Sequence, residues 1–397
     1  MRPSHFLCPI LAVAVGLPAQ TTHLVGPGGL PQIRSALAIA APGDTILVQP
    51  GTYAQFDANL GVQIRAVVPG SVQVVWDAAF APPGCVNNLI CLSYEGATRL
   101  APPSGQTLTL VGLSFPPLDS TVSTFFVIRN RVEITSGRVV LDGCALGSTA
   151  QQALRVLNAT VHLVGGSVAG QSNTGQSVGL RATNASITAV GTFFAGSSPM
   201  GMAFPGEAMV LSNTSLHGTG LVAQGGRILL GGPAAPALSV GGGSVWLSDS
   251  QLVSGGPNSC PFVGSANVVT ARCTFGPAAP SCQALPTGPL LGLSQNGAPQ
   301  NGQAFTLTFQ AEPGDLVGVL WSLDLATRPL PLFSEPWWAP ASAPTAGLFV
   351  ADAQGGAAGA WLLPANPGLV GLPVWFHSFA GTSLPLSAAP PAGGVIR

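Results

Sequence analysis

The sequence contains no lysine and little charge of either sign. All 13 of its basic residues are arginine, 14 residues are Asp or Glu, and charged residues make up 7% of the 397 positions. The formal net charge of −1 argues against a nucleic-acid-binding protein, because such proteins carry a basic surface. The apolar content of 47% argues equally against a solvated, disordered chain.

Long apolar runs are also missing. No stretch approaches the roughly 20 uninterrupted apolar residues of a membrane span, so we expect no transmembrane helix. A shorter run, Phe6 to Gly16, follows a polar start and precedes Leu17-Pro18-Ala19. This order predicts a signal peptide over residues 1–19, and therefore secretion. The alternative is a buried N-terminal strand.

Glycine and proline, in contrast, are abundant. The 52 Gly and 37 Pro residues separate short apolar runs along the chain, which is typical of an all-β protein with many turns. Six segments align as internal repeats: SGRVVLDGCALG, ATVHLVGGSVAG, ASITAVGTFFAG, TSLHGTGLVAQG, GSVWLSDSQLVSG and SANVVTARCTFG. Their spacing along the chain suits one β-helix coil of three short strands. An immunoglobulin-like sandwich is the alternative, but sandwiches do not usually repeat in this register.

The repeats predict which side chains face the interior. Alternation of period two places four columns of residues inside, and stacked coils would bury them as one continuous core. The first column is Val139, Val161, Ile187, Leu216, Val245 and Val268. The second is Leu141, Leu163, Ala189, Gly218, Leu247 and Thr270, and the third is Leu146, Val168, Phe194, Leu252 and Phe275. An earlier strand of each coil supplies Ile128, Leu154, Leu180, Met209 and Leu238.

Residues 31–53, PQIRSALAIAAPGDTILVQPGTY, carry the most specific motif. Helical spacing of Ile33 and Leu37 predicts a short amphipathic helix from Pro31 to Ala41. The stretch PGDTI followed by PGTY resembles the N-terminal cap and first coil of the pectate-lyase-like right-handed parallel β-helix family. The resemblance implies this fold, with a capping helix, for residues 20–282. It implies no particular activity, since the fold hosts lyases, hydrolases, epimerases and non-enzymes.

Three arginines form the first candidate binding site. Arg129, Arg155 and Arg181 follow inward positions at equal intervals along the chain. We expect them to stack on an exposed face at about 4.8 Å per coil, where like charges repel unless an anion lies between them. Arginine suits carboxylates, so the site would bind an acidic polymer such as a uronic-acid polysaccharide. The alternative is a solvated ladder neutralised by Glu133, Asp142 or ordered anions.

A second candidate surface is the outward column Val140, His162, Thr188, His217, Trp246 and Val269. Trp246 beside His217 would stack on a sugar ring; the alternative is a set of ordinary surface residues. His162 and His217 are two coils apart, about 9–10 Å, which is too far to hold one metal ion. We therefore predict no metal site.

Asn158, Asn184 and Asn213 stand in glycosylation sequons, but they share one place just before a strand. We interpret them as a stacked asparagine turn, because asparagine tolerates a left-handed backbone.

The cysteines are expected to form disulfides in an oxidising compartment, where six remain after removal of the signal peptide. Cys85 with Cys91 is one candidate pair, and a second lies among Cys260, Cys273 and Cys282. Cys144 and Cys273 share a column about five coils apart and cannot bond. Cys144 is then either unpaired or bonded to Cys91.

No complete catalytic motif is present. The family resemblance implies, for a lyase, an arginine or lysine base and clustered carboxylates that hold calcium, but Asp119, Asp142 and Asp249 are scattered. Paired aspartates, a Gly-x-Ser-x-Gly elbow, His-Glu-x-x-His and a phosphate loop are all missing. Arg155 and Arg181 are the only candidates for a base. We expect no cofactor.

The repeats end near Cys282. Residues 283–290, QALPTGPL, have the composition of a linker, and alternating runs within 291–397 predict a small antiparallel β-sandwich. Its pattern resembles a C-terminal β-module recurrent in secreted bacterial proteins, which implies no chemistry. Trp337 and Trp338 either contact a sugar or partner, or pack on the sandwich.

Three functions follow from these observations. We expect a secreted, monomeric, non-catalytic β-helix protein that binds, or is displayed on, an extracellular polymer or cell surface. The candidate contact residues are Arg129, Arg155, Arg181, His217 and Trp246. One alternative is a carbohydrate-active enzyme acting on an acidic polysaccharide, which requires a groove with carboxylates opposite the arginines. The other is a structural or adhesive envelope component, which requires no groove.

Overall fold

The computed structural model describes residues 20–75, 97–117, 131–148, 152–171, 176–199, 204–228, 233–325, 330, 332–333, 335 and 337–397. These residues form an all-β protein with a parallel β-solenoid and a smaller antiparallel C-terminal region, called the module below (residues 291–397). No helix among them is long and apolar enough to cross a membrane. The predicted signal peptide, Cys85 and Cys91 lie outside the described residues.

Short parallel strands build the solenoid, in a 15-stranded and a nine-stranded sheet. In chain order they are β1 (Thr22–Val25), β2 (Thr45–Val48), β3 (Gly51–Ala54), β4 (Asp57–Ala58), β5 (Gln63–Ala66), β6 (Val72–Val75), β7 (Ala97–Leu100), β8 (Thr107–Val111), β9 (Leu113–Phe115), β10 (Arg131–Ile134), β11 (Arg138–Asp142), β12 (Ala145–Ser148), β13 (Gln152–Leu157), β14 (Thr160–Val164), β15 (Ser167–Gly170), β16 (Val178–Thr183), β17 (Ser186–Val190), β18 (Phe193–Ala195), β19 (Met209–Thr219), β20 (Val222–Gln224), β21 (Leu238–Ser248), β22 (Gln251–Val253), β23 (Phe262–Ala271) and β24 (Thr274–Phe275). The parallel solenoid confirms the predicted fold class.

The strand register confirms the first three inward columns. Val139 pairs with Val161, and the series continues without a shift to Val268. The second column follows in the same strands, and the third runs through the nine-stranded sheet. These side chains belong to one continuous apolar core that begins at Val25. Phe275, on the last coil, is the exception, because it remains 42% exposed.

The fourth column is correct from Leu154 onward but wrong at Ile128. Leu154 pairs with Leu180, and the column continues to Met209 and Leu238. The partner of Leu154 on the preceding coil is Val132, not Ile128, and Ile128 itself lies outside the described residues. The physical reason is coil length: the coil that ends at Leu154 is shorter than the coil that follows it, so counting back by the longer interval overshoots the true partner.

Two corners of the solenoid require a left-handed backbone. Asn158, Asn184 and Asn213 have φ values of 50°, 51° and 47°, and Asn158 N donates to Thr183 O on the next coil at 3.1 Å. This geometry confirms the predicted asparagine turn. The other corner is left-handed at Gly112, Gly143, Gly165, Gly191 and Gly220, and then at Asp249 and Arg272.

The helix near the N-terminus is shorter than predicted. Helix α1 spans Ile33–Leu37, five residues of the expected Pro31–Ala41, and buries Ile33 and Ala36. It packs against β1, β2 and β3. Its role as a cap of the solenoid stays a prediction.

The module contains two antiparallel sheets that share one core. The three-stranded sheet consists of β25 (Gly292–Gln295), β26 (Ala304–Gln310) and β29 (Gly356–Leu362). The five-stranded sheet consists of β27 (Leu316–Ser322), β28 (Thr345–Val350), β30 (Pro373–Gly381), β31 (Ser387–Ala388) and β32 (Ala392–Val395), and a 3-10 helix spans Pro367–Leu369. Phe305 from the first sheet stacks on Phe376 from the second, with ring centroids 5.2 Å apart. The antiparallel region confirms the predicted class, and the linker boundaries at 283–290 stay a prediction.

The module packs on the outward face of the solenoid strands β5, β8, β11, β14, β17, β19 and β21. Val140 and Val164 of the solenoid form a buried cluster with Leu325 and Trp375 of the module. Hydrogen bonds surround this cluster, among them Gln63 Nε2 to Gly371 O at 2.7 Å, Thr219 Oγ1 to Leu293 O at 3.1 Å and Ser248 Oγ to Leu291 O at 3.3 Å. One face of the solenoid is therefore covered by protein.

The cysteine prediction is confirmed for the C-terminal set. Cys260 and Cys282 form a disulfide, which ties the last coil to the segment that follows it. Cys144 and Cys273 are unpaired, and burial raises the pKa of the Cys144 thiol to about 12.

Candidate functional site

A column of charged residues points outward from strands β4, β7, β10, β13 and β16. Register pairs Asp57 with Arg99, Arg99 with Glu133, Glu133 with Arg155, and Arg155 with Arg181. We call this set the charged column. Its charges alternate in sign except at the last step, where two arginines are neighbours.

Glu133 neutralises the first part of the charged column. Its Oε1 lies 3.0 Å from Arg155 Nη1, and its Oε2 lies 3.9 Å from Arg99 Nε. The Glu133 side chain is only 11% exposed, whereas those of Arg99 and Arg155 are 54% and 36% exposed. Because both arginines are accessible to solvent, water screens these ion pairs on the arginine side and the arginines can exchange partners.

Arg181 differs from its neighbours. It is exposed, it lies one strand from Arg155, and its neighbour on the other side is Val210. The adjacent carboxylate, Glu207, accepts from Gln176 at 3.1 Å and from Ser239 at 3.4 Å. No salt bridge joins Arg181 to an acidic residue in the described part of the chain. Its guanidinium is therefore available to an anion from solution.

The predicted ladder of three arginines is wrong in its first member. Glu133 occupies the place beside Arg155, because the coil between them is shorter than the coil from Arg155 to Arg181. Arg129 itself lies outside the described residues. The binding role of Arg155 and Arg181 stays a prediction. Of the alternative, a ladder neutralised by Glu133, Asp142 or ordered anions, the contact between Glu133 and Arg155 is present, whereas Asp142 pairs with Arg397.

The second predicted surface is correct in register but is not a free surface. His162, Thr188, His217 and Trp246 follow one another outward from the solenoid, and the His217 and Trp246 ring centroids are 6.2 Å apart. However, His162 is fully buried and His217 is only 3% exposed. The module covers them, which the repeat pattern of the solenoid does not indicate. Trp246 is half-buried.

The scattered aspartates serve structural contacts. Asp142 Oδ1 lies 2.8 Å from Arg397 Nη2, and its Oδ2 accepts from Val395 N at 2.9 Å. Asp249 Oδ1 lies 2.7 Å from Arg272 Nε on the next coil. Within the described ranges, no group of three or more His, Cys, Asp or Glu residues is arranged to hold a metal ion. Asp119 lies outside these ranges.

A group of residues that sequence reasoning missed lies beneath the module. His162 contacts the Trp375 ring at 4.9 Å between centroids and Trp338 at 6.2 Å, and His377 lies 6.2 Å from Trp337. Trp337 and Trp338 are 5% and 2% exposed, so they pack within the protein and do not present a sugar platform. The clean alternation around His377 predicts a strand, but no feature of the sequence indicates which solenoid residues it faces.

The comparisons with known proteins give low similarity. No protein-family model matches the sequence, and no curated protein matches it. Full-length tailspike protein 2 from Escherichia coli O157:H7 bacteriophage CAB120 is similar at 9% sequence identity and a TM-score of 0.33, over 91% of this chain and 61% of that chain. The Dettilon tailspike protein is similar at 9% identity and a TM-score of 0.22, over 87% of this chain and 92% of that chain. This chain thus spans about three fifths of the first tailspike, and similarity at this level assigns no function.

Proposed function

We propose that this protein is a secreted, non-catalytic β-helix protein that binds an extended acidic polysaccharide along the charged column. The observation that supports the proposal best is the pair Arg155 and Arg181, two outward cations on hydrogen-bonded strands about 4.8 Å apart. Arg181 has no acidic partner in the described residues. A carboxylate bound between the two arginines would relieve their repulsion and accept charge-assisted hydrogen bonds.

The position of the charged column suits a long ligand. The module covers a different outward face, that of Val140 and His162, and leaves Arg99 and Arg181 exposed. The column crosses successive coils, so a polymer that lies along the solenoid axis would contact several of its members at once. Glu133 and Glu207, which already hold partners, would select against polymers of very high charge density by repulsion.

Binding to uronate polymers tests the proposal. We expect the variant Arg155→Ser/Arg181→Ser to bind a uronic-acid polysaccharide at least about a hundredfold more weakly, because it loses two charge-assisted hydrogen bonds worth about 1.5–3 kcal/mol each. The matched control Arg34→Ser/Arg227→Ser removes two arginines away from the column and should bind like the wild type. Equal binding by both double variants would reject the charged column as the site.

A degradation assay separates binding from catalysis. We expect no release of unsaturated or reducing ends from the same polymers, with or without calcium. Release that depends on Arg155 or Arg181 would establish the carbohydrate-active enzyme instead. Wild-type protein that binds none of the polymers would leave the structural envelope component as the remaining function.

A further inference from the structure

The interface between solenoid and module contains buried polar atoms without partners. His162 is 0% exposed and His377 is 1% exposed, and they approach each other from opposite sides of the interface among Trp337, Trp338 and Trp375. Among the described residues, no hydrogen bond reaches His162 Nε2, His377 Nδ1 or Trp338 Nε1. Buried polar atoms are nearly always paired in proteins, so these atoms form a poorly satisfied polar patch, and Gln63 Oε1 and Arg397 Nε of the same interface also lack a described partner.

The hydrogen bonds around His377 show which of its ring nitrogens carries a proton. Ser322 Oγ has a single proton, and it donates this proton to the carbonyl of Asp324 at 2.5 Å. The contact of 2.7 Å between Ser322 Oγ and His377 Nε2 therefore requires the histidine to donate. Nε2 of His377 therefore carries a proton, and in the neutral imidazole Nδ1 is left with a lone pair to which no described residue donates. His162 contacts Thr188 Oγ1 through Nδ1, which leaves Nε2 as its open position.

The hydrogen bonds that the two histidines make go to the hydroxyl groups of Thr188 and Ser322. The elements packed against His162 and His377 present Val140, Thr188, Ser322 and the tryptophans, and the two histidines repel each other once charged. Other charged groups lie in the same region. Asp142 pairs with Arg397, Asp324 pairs with Arg138 at 3.5 Å, and half-buried Arg65 faces Arg397. Buried Glu335 of the module accepts hydrogen bonds from Ser387 Oγ and Ala388 N. His217, a third buried histidine under the same face, contacts Trp246.

We propose that the module is an acid-releasable cover, which stays docked while His162, His217 and His377 are neutral and leaves the solenoid when they are protonated. Release would uncover the column His162, Thr188, His217 and Trp246, and the column would then present its imidazole and indole rings to solvent. A cavity of about 140 Å³ beside Trp375, lined by Thr109, Val140 and Leu325, gives water a place to enter the interface.

The direction in which pH changes docking follows from the protonation states of these groups in the docked form. Burial lowers the pKa of His162, His217 and His377 from 6.5 to about 3, and for His162 the neighbouring His377 adds to the shift. The contribution of the neutral histidines to docking is therefore fully present above pH 6.5 and is lost as the pH falls toward 3. Over this range each histidine lowers the docking equilibrium constant by about tenfold per pH unit. Asp142 acts in the opposite direction, because burial raises its pKa and the docked form then holds its proton more tightly. Asp142 opposes the three histidines, so the net effect of these four groups is a loss of docking at acid pH.

Small-angle scattering of the full chain between pH 7.5 and pH 3.5 tests the proposal. We expect a reversible rise in the radius of gyration below pH 6.5, together with a red shift of tryptophan fluorescence as Trp338 and Trp375 meet water. Far-UV circular dichroism should change little, because the strands of the solenoid keep their apolar core when the module leaves. A wild-type chain that stays compact down to pH 3.5 would overturn the proposal.

Variants that cannot take up a proton identify the responsible groups. In the wild type, the three histidines should change the docking equilibrium constant by about a thousandfold per pH unit, and in the variant His162→Gln/His377→Gln the change should be only about tenfold per pH unit. The variant His23→Gln, outside the interface, should show the same pH dependence as the wild type. If the double variant does not dock at pH 7.5, His217→Gln alone should still reduce the slope by about tenfold per pH unit. The same slope in wild type and docked variants would show that other groups drive any release.

Discussion

The solenoid and the module bury their apolar side chains in opposite ways. The solenoid repeats mostly Val, Leu and Ile residues in columns, with a few aromatic rings such as Phe194, so each coil contacts mainly the coil before and the coil after it. The module relies on a few large rings, Phe305, Phe309, Trp361 and Phe376, which come from three different strands. The comparison teaches that stability is distributed along the solenoid but concentrated in the module.

Identical substitutions in the two cores test this difference and should have the largest effect. Leu216 in the solenoid and Leu307 in the module are both 0% exposed. We expect Leu216→Ala and Leu307→Ala each to lower the free energy of unfolding by roughly 2–5 kcal/mol, through lost burial and the cavity left behind. Hydrogen exchange resolved by region should place the first loss in the neighbouring coils and the second throughout the module.

The difference between solenoid and module would be disproved if Leu216→Ala and Leu307→Ala each lowered hydrogen-exchange protection equally throughout the chain. That outcome would mean that solenoid and module unfold as one cooperative unit, with their interface as strong as either core. Val210→Ala, on an outward and half-buried position of β19, is the control and should change protection little.

A smaller effect is expected at the contact that joins the two parts. Asp142→Asn removes the charge that holds Arg397, and it should weaken docking by on the order of 2 kcal/mol, because the carboxylate is buried while Arg397 is partly exposed. Exchange should accelerate in β32, whose Val395 N donates to Asp142. Asp324→Asn is the matched control, since this carboxylate is 71% exposed and its pair with Arg138 contributes little. Equal changes for both variants would contradict a specific role of Asp142.

The smallest expected effect on stability concerns the corners, where the solenoid and the module differ in backbone conformation. In the described residues, left-handed backbone at positions other than glycine occurs only in the solenoid. Asn184→Ala should cost about 1 kcal/mol because alanine disfavours φ near +51°, whereas Asn184→Gly should be nearly neutral. Thermal unfolding of the two variants measures the difference. A loss that is the same for alanine and glycine would mean that the asparagine side chain, and not the backbone, stabilises the corner.

The inward columns could be predicted from the sequence because they repeat. Val139, Val161 and Ile187 each stand two residues before a second apolar position, and this alternation is a local property of the chain. The register of Ile128 could not be predicted in the same way. Coil lengths vary along the solenoid, and the interval that separates Leu154 from Leu180 does not hold on the coil before it.

The surroundings of the candidate site were less accessible to sequence reasoning. The prediction that His217 points away from the solenoid core is correct, but its burial depends on β25 and the rest of the module, which lie far beyond it in the chain. Glu133 was identified as a possible neutralising residue, whereas its place between Arg99 and Arg155 required the register. Contacts between distant segments leave no periodic pattern, and for this reason only the structure reveals them.

The docked module also constrains how many coils the solenoid can have. It bonds to Gln63 on β5 and to Ser248 on β21, which are six strands apart, so it spans six steps of about 4.8 Å, roughly 29 Å. Most repeat proteins can gain or lose a unit internally at little cost, because each unit contacts only its neighbours. Here an inserted or deleted coil between these two strands would shift one end of the module by a full step. Variation in length is therefore expected only outside this span.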